Sequence, residues 1–380
     1  MEKTLGLLVM IGIGLLLQRK ISSADQLKGI KVLILCVALP ATIFVALLKV
    51  HLKSELLILP LLALLVNGIL LASYSVCSKL FPSLNRSRQR TLLMLLPSLA
   101  PGLSCFPFIS EYLGEGSLAF AALADVGNKF FVLLILYLLA MRWYYQFNKK
   151  TAKQNRIKQL VITMVSEPIN LVILAALGLL IFGINLYSLP ETISGVILRL
   201  SGIMAPLILL FIGLAVKINR KDFGLIINLL SWRAGLALML SATILYLAPQ
   251  LNSTAALLVI VFPQSACSFW PFAHMSTVNK LEKEGDTSTF DMNFALSVLA
   301  CSLPFSTMII LSVFSFQSVI LDPFYALGIG AVLLTITMIR PVITVLKSTS
   351  ILRPWSKESN QSENVKKENP VVENALAEVP

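Results

Sequence analysis

The sequence predicts an all-α polytopic membrane protein made of two inverted five-helix repeats with crossed, broken helices, plus one extra C-terminal helix. Three observations lead to this fold class. The chain of 380 residues is 57% hydrophobic and only 13% charged, whereas soluble domains carry about 25% charged residues. Its apolar residues fall into long segments separated by short polar turns. Finally, apolar segments that contain prolines recur at a nearly constant spacing along the chain.

Eleven apolar segments are candidates for membrane spans, which take about 17 to 25 helical residues. The first segment is short, but no cleavage site follows it and two basic residues come directly after it. We therefore expect a short first helix there and not a signal peptide. The predicted spans are Thr4–Leu17, Val32–Leu48, Leu56–Leu80, Thr91–Tyr112, Leu118–Ala140, Leu160–Ile184, Ile193–Val216, Phe223–Ala248, Ala255–Met275, Phe290–Phe314 and Phe324–Val345.

The basic residues are unevenly distributed between the two sides that this count creates. Most of the 31 lysines and arginines, including Lys31, fall in loops of one side, and the other side has only Lys3, Lys49 and Lys53. Cytoplasmic loops are enriched in lysine and arginine, so we expect the amino end outside and the carboxyl end in the cytoplasm of a plasma or inner membrane. The net charge of +12 then reflects topology, and no nucleic-acid partner is expected.

The two halves of the chain share a pattern of prolines inside apolar segments. Residues 1–145 and 160–315 are therefore expected to form two five-helix units, and an odd number of spans gives them opposite orientations in the membrane. Residues 320–346 form the extra transmembrane helix, and the polar residues 347–380 are expected to be a disordered cytoplasmic tail. The corresponding prolines are Pro40 and Pro206, Pro101 and Pro263, and Pro107 and Pro271.

Spans four and nine contain helix-breaking residues in corresponding positions. Proline removes a helical hydrogen bond, and the freed backbone groups are tolerated at membrane depth only inside protein or beside a water-filled cavity. Inverted repeats with such interrupted spans indicate a secondary transporter. We expect the two breaks to cross near the bilayer midplane and to bind the substrate there. The alternative is that both spans are ordinary proline-kinked helices.

The predicted substrate site combines residues at these two breaks with one buried cation. Serine hydroxyls in membrane helices also bond to their own backbone, which is the alternative role for each serine. Arg233 lies deep in span eight and either attracts an anionic substrate or bonds to unwound backbone carbonyls. The candidate substrate-binding residues are Ser98, Pro101, Gly102, Ser104, Pro107, Pro263, Gln264, Ser265, Ser268 and Arg233.

Span five carries the candidate residues for coupling to an ion, namely Asp125, Asn128 and Lys129. Asp125 and Lys129 are spaced to form a structural ion pair, which is the alternative role. Burial favours the protonated form of a carboxyl group and a nearby ammonium favours the ionised form. We therefore expect Asp125 to exchange protons and transport to be proton-coupled. A sodium ion bound by the same carboxylate and amide oxygens, with serine hydroxyls, is the alternative.

Several stretches also resemble one family. They are "GLLVMIGIGLLLQRKISSADQLKGIKVLILCVALPATIF", "FISEYLGEGSLAFAALADVGNKFF", "EPINLVILAALGLLIFGINLYSLP", "GIMAPLILLFIGLAVK" and "FPQSACSFWPFAHM". Their order over roughly residues 4–314 resembles the auxin efflux carrier family of membrane transport proteins. The resemblance implies the crossed-helix fold of bile-acid/sodium symporters, transport of small organic anions, and homodimers. At the position of a family asparagine that helps to hold the substrate carboxylate this chain has Ala100, so auxin itself is not implied.

Other classes of membrane protein fit the sequence less well. The two histidines, His51 and His274, cannot form an HExxH motif, and no Gly-x-Gly-Asp motif is present, so an intramembrane protease is not expected. The five cysteines have no spacing typical of a metal site, and we expect neither enzymatic activity nor a cofactor. A sensor or signalling protein built on a transporter fold remains the alternative function.

Overall fold

The computed structural model describes residues 2–21, 23–49, 58–77, 84–148, 168–215, 222–282 and 288–348. Within these ranges the chain forms helices joined by short turns and contains no β-strand, which confirms the predicted all-α class. The predicted tail, 347–380, lies almost entirely outside the described residues, and so does the beginning of predicted span six at 160–167.

The helices follow one another along the chain with few residues between them. In the first half, α1 is Glu2–Leu17, α2 is Asp25–Leu48 with a π-helical turn at Ile34–Ala38, α3 is Ile58–Cys77, α4 is Arg86–Leu95, α5 is Pro101–Ser104, α6 is Phe106–Phe130, and α7 is Leu136–Asn148, joined to α6 by a π-helical turn at Phe131–Ile135. In the second half, α8 is Pro168–Ile181, α9 is Glu191–Gly202, α10 is Met204–Ala215, α11 is Phe223–Leu247, α12 is Ser253–Val261, α13 is Trp270–Leu281, α14 is Met292–Ser315, α15 is Gln317–Ile320 and α16 is Pro323–Ser348.

Six helices in the described ranges are long and apolar enough to cross a membrane, which fits a polytopic membrane protein. Four shorter apolar helices accompany them, so the count of eleven spans, the orientation and the inverted repeat stay predictions. The six helices are Asp25–Leu48, Ile58–Ser75, Phe106–Gln146, Glu191–Ala215, Phe223–Leu247 and Met292–Ser315. The shorter ones are Thr4–Leu17, Pro168–Ile181, Ser253–Gln264 and Pro323–Ile339.

The start of α2 differs from the predicted start of span two, which was Val32. Ser23 accepts a hydrogen bond from the Gln26 amide at 3.2 Å, and the Gln26 side chain accepts one from the Ser23 amide at 3.3 Å. This reciprocal capping box starts a helix, and α2 begins directly after it. Lys31, which was predicted to lie in a loop, is therefore about two turns inside the helix.

The continuous run Phe106–Gln146 contains one sharp break. Gly114 has φ 82° and ψ 177°, a backbone conformation that a residue with a side chain adopts only at a steric cost. The break lies between the predicted end of span four at Tyr112 and the predicted start of span five at Leu118. Gly114 therefore separates predicted span four from predicted span five.

The apolar side chains form two clusters, and predicted spans four and nine pass from one cluster to the other at their breaks. In the first of these spans, Leu96 belongs to one cluster and Leu99 to the other. In the second, Val261 belongs to the same cluster as Leu99, and Cys267 belongs to the same cluster as Leu96. The backbone breaks therefore lie at the boundary between two apolar cores.

Glycines allow several pairs of helices to approach to backbone contact. A Cβ atom on Gly127 of α6 would lie 1.8 Å from the carbonyl oxygen of Pro60 in α3. The extra helix α16 packs against α11 in a similar way, because a Cβ atom on Gly235 would lie 2.8 Å from the Gly330 carbonyl oxygen. Small residues at helix interfaces favour close packing in membranes, where no hydrophobic effect drives the helices together.

We predict that Gly127→Ala destabilises the protein by at least about 1–3 kcal/mol, the usual cost of forcing extra atoms into a packed interior. The melting temperature in detergent, followed by size-exclusion of the heated sample, measures this effect. Gly116→Ala is the matched control in the same helix, since a Cβ atom there meets nothing within 4 Å. Equal melting temperatures for the two variants would contradict the close contact between α3 and α6.

Candidate functional site

The first broken segment lies between α4 and α6. α4 ends at Leu95, and Ala100 has φ −125° and ψ 64°, outside the helical region. α5 restores a single turn before Cys105 departs again, with φ −121°. The predicted residues Pro101 and Pro107 each lie in the first positions of the helix that follows. A missing amide hydrogen costs nothing there, so these prolines end one helix and start the next.

The second broken segment joins α12 to α13. α12 ends at Val261, and a short 3-10 turn, Phe262–Gln264, contains the predicted residue Pro263. Ser265 then has φ −56° and ψ 150°, which is an extended conformation. The backbone stays outside α-helical structure until α13 begins, with Pro271 in its first turn.

The two broken segments cross and are hydrogen-bonded directly to each other. The Ala100 amide donates to the Ala266 carbonyl at 2.8 Å. The Ala266 amide donates to the Ser104 hydroxyl at 2.9 Å, and the Ser268 amide donates to the Ser98 hydroxyl at 3.0 Å. Each segment thus supplies partners for backbone groups that the other cannot satisfy within its own helix. The structure brings these predicted site residues together across a sequence distance of more than 150 residues.

The remaining polar side chains of the second segment bond to nearby backbone. Gln264 donates through Nε2 to the Ala234 carbonyl at 3.2 Å, and its own carbonyl accepts from the Ser306 hydroxyl. The Ser265 hydroxyl donates to the Phe262 carbonyl at 2.6 Å. These side chains therefore hold the second broken segment against α11 and α14.

Gly102 marks the place where the first broken segment packs against α2. A Cβ atom at this position would lie 2.8 Å from the Cδ2 atom of Leu39. The side chain of Leu39 is itself completely buried, so it has little space to move away. Gly102 thus allows close packing.

Arg233 of α11 lies between the two broken segments and is only 4% exposed. Its Nε donates to the Leu96 carbonyl at 2.7 Å, and its Nη2 donates to the carbonyls of Ser265 at 2.7 Å and Ser98 at 3.4 Å. In a continuous helix the Ala100 amide would donate to the Leu96 carbonyl, but here it donates to the other segment. Of the two roles that the sequence left open for Arg233, this geometry favours bonding to unwound carbonyls.

A second buried polar cluster surrounds Asn128 on α6. Its amide group mimics a neighbouring backbone: Nδ2 donates to the Leu99 carbonyl at 3.0 Å, and Oδ1 accepts from the Leu99 amide at 3.3 Å. Nδ2 also donates to Oδ1 of Asp125 at 2.7 Å, and Oδ2 of Asp125 lies 3.6 Å from Nζ of Lys129. The three predicted coupling residues therefore form one cluster that is linked to the first broken segment.

Two asparagines that the sequence analysis did not single out complete this cluster. Asn67 of α3 donates through Nδ2 to Oδ1 of Asn128 at 2.9 Å, and Lys129 donates to Oδ1 of Asn170 in α8 at 3.4 Å. Oδ1 of Asn67 is a buried oxygen with no hydrogen-bond partner among the described residues. A signal for both was present, because each is an isolated amide within an apolar segment, where polar groups are costly.

Comparison with known proteins adds no assignment to this geometry. No protein-family model matches the chain, and no curated protein matches it either. The interpretation of the site therefore rests on its own contacts.

We predict that Arg233→Gln lowers the stability by several kcal/mol, because each buried carbonyl left without a donor costs about 1–3 kcal/mol. The stability of Arg233→Lys should lie between that of the wild type and that of Arg233→Gln, since an ammonium lacks the planar fork of the guanidinium. Thermal unfolding and the yield of monodisperse protein measure the effect. Arg199→Gln is the control, because Arg199 is exposed. A fully stable Arg233→Gln protein with weakened anion binding would instead favour the substrate role.

Proposed function

We propose that this chain is a secondary transporter of small organic anions, with its substrate site at the crossing of the two broken segments. The observation that carries the proposal is their direct contact, from Ala100 to Ala266 and from Ser98 and Ser104 to the backbone of the other segment. Broken spans whose half-helix ends meet inside the protein are the arrangement that transporters use to bind substrates and coupling ions.

The position of the breaks between two apolar cores supports alternating access. A site at a boundary can be opened by moving one packed body against another without unpacking either. The crossing backbones supply amides, carbonyls and hydroxyls near this boundary. The amides and hydroxyls among them are donors that an anionic substrate can accept from once the crossing opens.

Coupling to protons is proposed for the cluster around Asp125. Protonation of its carboxylate removes the ion pair with Lys129 at 3.6 Å and leaves the ammonium bonded to Asn170 of α8. Because Asn128 connects Asp125 to the Leu99 backbone, the same event alters the partners of the first broken segment. The gain or loss of one proton at Asp125 thus changes contacts both at the crossover and with α8.

One specific observation favours sodium as the alternative coupling ion. Oδ1 of Asn67 is buried without a partner among the described residues, and it belongs to an amide bonded to Asn128. Unwound carbonyls and similar neutral oxygens coordinate sodium in transporters. The ammonium of Lys129 lies beside the Asp125 carboxylate and repels a sodium ion there. This arrangement favours the proton as the coupling ion.

The remaining parts of the proposal follow from the sequence. They are eleven spans in a plasma or inner membrane, with the amino end outside and the carboxyl end in the cytoplasm, and a homodimer in the lipid bilayer. The resemblance to the auxin efflux carrier family points in the same direction.

We predict that the purified protein in proteoliposomes accumulates radiolabelled small carboxylates when a proton gradient is imposed. A proton gradient should drive uptake, and a sodium gradient alone should not. Uptake that follows sodium and ignores pH would favour the sodium alternative. Saturable binding of a carboxylate without any flux would favour the sensor alternative.

Asp125→Asn should abolish gradient-driven accumulation while leaving exchange of substrate across the membrane measurable, since the variant keeps the hydrogen-bonding shape but loses the titratable group. Asp25→Asn is the matched control, because Asp25 is an exposed carboxylate in the first turn of α2. Full gradient-driven uptake in Asp125→Asn would remove this residue from the coupling mechanism.

A further inference from the structure

Lys31 of α2 lies against the second broken segment. Its Nζ is 4.2 Å from the centroid of the Phe269 ring, over the ring face. Phe269 is the residue directly before α13 and directly after Ser268, whose amide bonds to Ser98 of the first broken segment. The ammonium is thus placed at the edge of the crossover, in contact with the residue at which the second broken segment becomes helical again.

The charge of Lys31 has no acidic partner among the described residues. Ion pairs in these ranges join Lys49 to Glu115, Arg88 to Asp222 and Asp291, and Lys129 to Asp125. Asp25 lies on the same helix as Lys31, but a spacing of six residues places the two on different faces. The side chain is only partly exposed, and an ammonium that has lost part of its water without gaining an anion is costly.

The other cations near the crossover are already engaged. The guanidinium of Arg233 donates to three backbone carbonyls, and Lys129 is paired with Asp125 and bonded to Asn170. Lys31 therefore differs from both, because an aromatic ring is the partner that the structure gives it.

Phe269 is much less buried than the residues that precede it. Its side chain is 49% exposed, although the two preceding residues, Cys267 and Ser268, are at most 5% exposed. The ring of Phe272 lies 5.2 Å from that of Phe269, tilted by 37°. A positive charge beside two aromatic rings that are not fully buried suits an organic anion, because the ammonium binds the charged group while the rings contact an apolar part.

We propose that Lys31 is the anion-binding residue of the crossover site and that Phe269 forms the adjoining apolar wall. The proposal rests on the proposed transport function and names the side chain that takes the anionic group of the substrate. It assigns to Lys31 the attraction for anions that the sequence analysis considered for Arg233. The anion then binds at the edge of the crossover, where Lys31 contacts the second broken segment.

Charge-selective labelling tests this proposal without knowledge of the natural substrate. Phe269→Cys is made in a background in which the five native cysteines are replaced, and the full-length protein is placed in phosphatidylcholine nanodiscs. The rates of reaction with a negatively charged and a positively charged methanethiosulfonate are compared. We expect the anionic reagent to react about fivefold faster or more relative to a free thiol, the order of effect of one unit charge a few Å away in a partly hydrated site.

The charge dependence must come from Lys31. Lys31→Gln should remove the preference for the anionic reagent, and Lys31→Arg should retain it. Lys28→Gln is the matched control, because Lys28 is an exposed lysine one turn earlier on the same helix, and it should retain most of the preference. Each variant is first checked for an unchanged melting temperature. Equal rates for the two reagents, or a preference that survives Lys31→Gln, would overturn the proposal.

Two further measurements distinguish the proposed anion site from a lipid headgroup site and test it separately from the transport function. Labelling is repeated in nanodiscs with phosphatidylglycerol, and loss of the preference there would overturn the proposal in favour of a lipid headgroup site. Uptake of radiolabelled carboxylates is measured in parallel with the same lysine variants. Wild-type uptake that Lys31→Gln leaves unchanged would overturn the role of Lys31 while transport stands. A Lys31-dependent preference without any wild-type uptake would support the anion site and contradict the transport function.

Discussion

The structure depends on the satisfaction of unwound backbone inside an apolar protein. Two segments leave helical geometry where two hydrophobic clusters meet, and their amides and carbonyls must find partners there because buried unpaired peptide groups are costly. Arg233 supplies donors to three carbonyls, and Asn128 pairs with both polar groups of Leu99. The segments satisfy much of the remainder by bonding to each other. Because these hydrogen bonds join particular atoms of the two segments, they fix the geometry of the crossing.

Much of the fold was predictable from the sequence, since its signals are local. Prolines remove particular hydrogen bonds wherever they occur, so the breaks could be placed to within a few residues, and the spacing of Asp125 and Lys129 already implied contact. The hydroxyls of Ser98 and Ser104 donate to carbonyls of their own segment, which is the alternative role that the sequence allowed for each serine. The amides from which they accept could not be predicted, because those amides lie in the other half of the chain. Lys31 was misplaced for a different reason: hydropathy begins at Val32, but the capping box at Ser23 starts the helix earlier.

The electrostatics of the crossover also follow from this arrangement. Among the described residues, the guanidinium of Arg233 is hydrogen-bonded to backbone carbonyls and forms no ion pair, whereas Asp125 and Lys129 compensate each other. Lys31 adds a further cation at the edge. The described part of the crossover therefore carries an excess of positive charge in a poorly hydrated environment, where charge interactions are strong. This excess of positive charge supports our proposal of an anionic substrate.

Cysteine accessibility at the two breaks tests the central claim most directly. Single cysteines are placed through 98–107 and 264–271 in a background without the five native cysteines, and a water-soluble thiol reagent is applied to the protein in membranes. If the crossing of the two broken segments holds a substrate site, a run of positions in both stretches should react with the reagent. A transported carboxylate should protect these positions. Uniform protection from the reagent in both stretches, with or without carboxylate, would mean two kinked helices packed without a central site.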